Sequence, residues 1–172
     1  YMYMEHTSTG QFEMWNGKSG VAVSKFMDVS PEGYIRKNKQ PSFAAYRAQS
    51  NWPVSSGAEM VFNATRHQIG SSYSTSTGRF TAPVAGSYLF TFFIIYSGNH
   101  NSGYVRMFKN GARQYGSDIH FTHADNSGHW DNVSYSQIFY LAPNDYVSIY
   151  NGNHASTFHG NHWMQFCGYL LG

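Results

Sequence analysis

Cysteine is almost absent from this chain: of 172 residues, only Cys167 is one. An intrachain disulfide framework is therefore excluded, and Cys167, alternating with Phe166 and Gly168, reads as a buried inert thiol, with an interchain disulfide as the alternative. Charge is scarce as well. Asp, Glu, Lys and Arg together make 12% of the residues, the formal net charge is +2, and the basic residues stand scattered. That excludes the basic stripe a nucleic-acid partner requires and the basic helix of a membrane-surface protein. The longest apolar run, from Tyr88 to Tyr96, is far too short to cross a bilayer as a helix. No helical period persists beyond two turns. The phosphate-loop and dinucleotide glycine patterns, the Gly-x-Ser-x-Gly elbow and the His-Glu-x-x-His zinc helix are all missing, so catalysis is not expected. No leader-like stretch precedes the body of the chain. A start at Tyr1 reads as a processed mature form or a trimmed piece.

What the chain has in abundance is aromatic and turn residues: aromatics alone make 18%. This is strand-and-turn composition. Residues 42–48, 58–67, 87–96, 132–141, 146–151 and 163–171 read as strands. Residues 104–115 form a hairpin, because Asn110-Gly111 between alternating segments supplies the two positive-φ positions of a tight turn. Residues 97–103 read as a polar loop. Within the long strand, Tyr88, Phe90, Phe92 and Ile94 take one face, and Leu89, Phe93 and Ile95 the other, since alternate side chains point oppositely. A strand apolar on both faces needs two covers. Short strands at this spacing without helices indicate a sandwich or barrel. Residues 1–40 differ. They hold four of the seven methionines, a small hairpin around Asn16-Gly17, and linker-like segments at 30–33 and 37–41. We treat them as an N-terminal extension of unknown role, with the main domain spanning 41–172.

Residues 42–172 carry a more specific pattern. Phe43-Ala44-Ala45 opens it. Phe62, Gly70, Tyr73, Gly78, Phe80, Thr81, Ala82, Pro83, Val84, Gly86, Tyr88 and Phe90 follow in order. Asn110-Gly111 marks a hairpin, and Phe166, Gly168, Tyr169, Leu170 and Leu171 close the series. This resembles the C1q-like globular domain of the tumour-necrosis-factor-like superfamily. Two positions depart from the family pattern: Gln68 stands for a usual Asn, and Asn144-Asp145 for a usual Gly-Asp turn. Asn tolerates the left-handed conformation, so that turn is expected to survive. No Gly-x-y run occurs. A complement-activating role, which in the family needs a collagen stalk, is not expected.

The resemblance implies an all-β, ten-stranded antiparallel jelly-roll sandwich assembled as a homotrimer, with residues 97–103, 118–131 and 152–162 as loops between strands. Tyr88, Phe90, Phe93, Ile95 and Tyr169 are expected at the contact between copies. It also implies a secreted, extracellular protein without a membrane span. The sequons Asn63-Ala64-Thr65 and Asn132-Val133-Ser134 fit a glycoprotein. The expected function is lectin-like binding of carbohydrate or microbial surface patterns in innate immunity. The alternatives are a signalling or adhesion ligand for a protein receptor, or a histidine-rich extracellular metal-binding protein.

Candidate binding residues come from composition. Sugar recognition needs planar polar groups for hydroxyls and an aromatic face for the apolar side of the ring. Asp125, Asn126, His129, Trp130 and Asp131 supply that mixture in one loop, and His159, Asn161 and His162 repeat it in another. Trp163, at a strand start, reads as a packing residue, as do Tyr146 and Tyr150. Nine histidines are present. Imidazole suits zinc or copper, and carboxylate suits calcium. His120, His123, Asp125 and Asp131 are thus the candidate ligands for calcium or zinc, although no cofactor is required. On a strand, residues three apart face opposite ways. His120 and His123 chelate together only if the segment bends.

Overall fold

The computed structural model describes residues 1–17, 19–20, 22–96, 102–122, 130–152 and 154–172. The chain divides into two compact units, Tyr1–Gln40 and Pro41–Gly172.

The first unit is one antiparallel sheet of four strands in sequence order: β1 (Met2–His6), β2 (Phe12–Asn16), β3 (Ser24–Val29) and β4 (Ile35–Arg36). The small hairpin expected around Asn16-Gly17 is the antiparallel β2–β3 pair, which opens at Asn16 and Ser24 and so has a longer connection than a two-residue turn. Residues 30–33 are not a linker: they are the turn between β3 and β4, closed by the Gly33 N–H donating to Ser30 O at 2.9 Å. One sheet face carries Glu13 and Asp28, both buried. Lys25 bridges them at 2.9 and 3.1 Å. Burial alone would raise the Asp28 pKa, but hydrogen bonds from Asn38, Arg36 and Lys25 outweigh it and hold the carboxyl well below the usual carboxylate range.

The second unit is a two-sheet sandwich with all paired strands antiparallel. Its larger sheet contains β5 (Ser42–Tyr46), β6 (Trp52–Val54), β7 (Ala64–Ile69), β10 (Gly86–Tyr96), β13 (Asp131–Leu141), β15 (Ser156–Phe158) and β16 (Gln165–Leu170). Its smaller sheet contains β8 (Tyr73–Ser74), β9 (Arg79–Thr81), β11 (Ser102–Lys109), β12 (Ala112–Thr122) and β14 (Tyr146–Asn151). The all-β jelly-roll expectation holds. The strand count exceeds ten because two- and three-residue pieces such as β6, β8 and β15 pair separately. Two further boundaries differ from expectation. Residues 58–63 lie outside any strand, although Met60 and Phe62 are fully buried. Residues 118–122 continue β12 rather than forming a loop, because a bulge near Met107 lets the β11–β12 pairing resume at Arg106–Asp118.

β10 is the axis of the larger sheet. It pairs with β13 along its whole length and with β16 and β15 on the other edge. Tyr88, Phe90, Phe92 and Ile94 are fully buried between the sheets. Phe43 organises the aromatic core: its ring stacks on Tyr73 at 4.6 Å and meets Phe166 edge-on at 4.9 Å. Such pairs add about 0.5–1.5 kcal/mol each beyond burial. Gly168 makes this possible, since a Cβ there would come within 2.6 Å of the Phe90 ring and 2.7 Å of the Phe43 ring.

The other face of the larger sheet explains the doubly apolar strand. Leu89 lies between Ile138 and Tyr169 in one cross-strand row. Ile138, Tyr140, Tyr169 and Leu171 are all exposed, and Leu89 and Phe93 are half-buried. The pleat corrects the list expected at a contact between copies. Tyr88 and Phe90 point into the sandwich and are inaccessible, and Ile95 is only 8% exposed. Phe93 and Tyr169 do lie on the outward face. Cys167 is on that face between Thr91 and Ala44 and is half-buried rather than buried.

Candidate functional site

The site forms where β10 ends. Tyr96 faces Asp131, the first residue of β13, on one edge, and Phe158, the last residue of β15, on the other. The residues just beyond those partners are Trp130 and His159. Register therefore brings two distant segments together across one strand end. Their rings stack, with centroids 4.1 Å apart and planes inclined by 27°.

A third ring comes from the turn that leads into β16. Backbone hydrogen bonds hold this turn, and the Arg66 side chain adds one to His162 O. The His159 N–H donates to Ile95 O at 2.9 Å, Asn161 N–H to Gln49 O at 3.0 Å, His162 N–H to Arg47 O at 2.9 Å, and Trp163 N–H to Gly160 O at 3.2 Å. Asn161 and His162 adopt the left-handed conformation, with φ of 51° and 69°. Gly160 is pressed against its neighbour so closely that a Cβ would lie 1.7 Å from Gln49 O. The turn sets Trp163 perpendicular to both other rings, 5.8 Å from Trp130 and 5.1 Å from His159.

Trp130 and Trp163 are 53% and 54% exposed. Half of each indole faces water, so the expectation of Trp163 as a packing residue is corrected. Asn161 and His162 are exposed beside it. The His162 ring lies 4.8 Å from Tyr46, and Arg66 sits over Tyr46 at 4.4 Å while donating to His162 O at 3.0 Å. The result is two crossed apolar surfaces with imidazole and amide groups at the rim and one guanidinium nearby. It can stack a flat apolar ligand face and hydrogen-bond its polar edge.

The candidates from the sequence separate clearly. Trp130, His159 and Trp163 come together. Asn161 and His162 border them, and Asp131 begins β13 next to Trp130. His120 stands elsewhere, on β12 of the smaller sheet, exposed and 5.1 Å from the Tyr104 ring. His123, Asp125, Asn126 and His129 lie outside the described residues. Among the described residues, no three His, Cys, Asp or Glu side chains are grouped to hold a metal ion. Tyr46 and Arg66 were not foreseen, because no local pattern links them to residue 162. Tyr150 has the structural role expected of it, stacked on Phe108 at 3.9 Å. Of the two sequons, Asn132 is exposed. The Asn63 amide is engaged, donating to Gln49 at 2.6 Å and accepting from the Ala48 N–H at 3.0 Å.

Comparison with known proteins agrees with this architecture. Complement C1q tumor necrosis factor-related protein 3 of Mus musculus, like its Homo sapiens counterpart, is 32% identical over 114 residues. That stretch is 65% of this chain and 44% of the relative, so the chain spans less than half the length of these relatives. The globular domain of zebrafish complement 1qA protein superposes with a TM-score of 0.61 at 19% identity, covering 77% of this chain and 98% of that one. Eiger TNF of S. frugiperda does so with a TM-score of 0.62 at 14% identity, covering 77% and 92%. These two show a shared fold. The C1q domain pattern matches residues 42–171, three-quarters of the chain, and on that match the chain belongs to the C1q domain family.

Proposed function

We propose that this chain is a secreted recognition protein that binds glycans or microbial surface patterns as a homotrimer, in the manner of an innate-immune lectin. The observation that carries the reading is the convergence of Trp130, His159 and Trp163 into an exposed aromatic platform on a turn fixed by backbone hydrogen bonds. Rigid aromatic surface with adjacent hydrogen-bonding groups is what a sugar ring requires. Asp131, Asn161 and His162 are the polar partners assigned to its hydroxyls. A single site of this kind would bind weakly, near 1 mM or about −4 kcal/mol. Three sites on one trimer gain about two to four orders of magnitude through avidity. No catalytic step is involved, since the family works by binding and the chain is not an enzyme.

The test is a glycan array probed with the purified trimer, with and without calcium. Selective binding that is lost in a Trp130→Ala, Trp163→Ala double variant supports the proposal. Calcium dependence would add Asp125 and Asp131 to the site as its carboxylate ligands. A blank array from a folded trimer would remove the glycan reading. A second reading then takes over, a ligand for a protein receptor. It is favoured by the 32% identity to a tumor necrosis factor-related protein and by the broad apolar sheet face of Ile138, Tyr140 and Tyr169.

A further inference from the structure

The N-terminal sheet places methionine on three adjacent strands at one level. Met4 of β1 is opposite Met14 of β2, and Met14 is opposite Met27 of β3. Alternation along β1 puts Met2 and His6 on the same face, diagonal to Met14 on either side. The carboxylates are on the reverse face. There Trp15 donates to Glu13, and Lys25, Arg36 and Asn38 surround Asp28.

We propose that this face binds a soft monovalent metal ion, Cu(I), through the thioethers of Met4, Met14 and Met27, with Met2 and His6 bordering the site. Directly opposed residues have Cβ atoms about 5 Å apart and diagonal ones about 7–8 Å. The flexible thioether arm spans that gap, so three sulfurs can meet above Met14. Thioethers are soft, uncharged ligands that suit Cu(I) and do not suit calcium, which takes oxygen ligands. Burial does not account for the choice of residue. Met2 is 64% and Met4 63% exposed, so hydrophobic contact stabilises neither much. A sheet face built only for packing would use Val, Ile or Phe, which suit strands better. The site uses residues of the first unit alone, and this reading and that of the Trp130 platform do not depend on each other.

The test is an anaerobic titration of the full chain with Cu(I) delivered from a bicinchoninate complex. It is run in a Cys167→Ser background to remove the thiol. One equivalent is expected to transfer, with copper–sulfur scattering in the X-ray absorption spectrum and shifts of the Met4, Met14 and Met27 methyl resonances. A Met4→Leu, Met14→Leu, Met27→Leu variant keeps the apolar volume and is expected to lose most of the affinity. Should that variant not fold, Met4→Leu alone decides. At an exposed position it leaves the sheet intact and is expected to weaken binding by about tenfold or more. Unchanged affinity in the folded variants, or nitrogen and oxygen scattering without sulfur, overturns the proposal and moves any copper to the histidines.

Discussion

Asp145 shows how one side chain ties a turn to the sandwich. Its carboxylate pairs with Lys109 at 2.9 Å, accepts from the Asn110 amide at 2.7 Å and accepts from the Ala142 N–H at 2.9 Å. The bond from Lys109, then those from Asn110 and Ala142, lower its pKa to about 2. A folded value below the unfolded one, about 3.9, stabilises the native state fully above the unfolded value. That contribution is lost as pH falls through about 2. Asp145→Asn is therefore expected to flatten the decline of the denaturant midpoint between about pH 4 and pH 2. Parallel declines in the two proteins would show that the group contributes nothing. Asn144 beside it has φ of 71°, so the turn formed with Asn where the family pattern has Gly, as the sequence indicated.

Among the elements, the turn from Gly160 to Trp163 decides the most. It aims Trp163 outward and fixes His159 against Trp130, and its backbone is packed onto Gln49 without space for a side chain. Gly160→Ala is expected to cost about 1–3 kcal/mol, the usual range for overpacking. It should also weaken ligand binding, because the two indoles move apart. Urea denaturation gives the first quantity and ligand titration the second. A destabilised variant with unchanged binding would mean that Trp163 does not contact the ligand. Elements with a strong local signal were readable in the sequence. The Asn110-Gly111 hairpin formed with φ of 52° and 72°, and the parity of Tyr88, Phe90, Phe92 and Ile94 held. Elements defined by pairing were not readable. The end of β12 depends on a bulge, and β15 on the arrival of Trp52–Val54 alongside it.

For the whole molecule, the outward face of β13, β10 and β16 is the surface to test. Each large side chain taken from water there contributes roughly 1.5–3 kcal/mol. Contiguous exposed apolar residues are where an interaction is to be sought. If copies of the chain associate through it, an Ile138→Lys, Tyr169→Lys variant will sediment as a monomer with an unchanged circular dichroism spectrum. A trimer that persists would place the contact between copies on other surfaces.

Composition and period-2 alternation were enough to indicate an all-β sandwich or barrel, because a strand's two faces are written locally in its residues. The spacing of glycines and aromatics from Phe43 to Leu171 narrowed it to one family, since each of those residues answers a local backbone or packing demand. The platform was beyond such reasoning. Trp130, His159 and Trp163 meet because β10 pairs with β13 on one edge and β15 on the other, and β16 follows a backbone-locked turn. The aligned methionines of the first unit likewise depend on register across β1, β2 and β3. Register follows from which apolar faces must be buried together and from the turns that join the strands, so a single strand read alone does not give it.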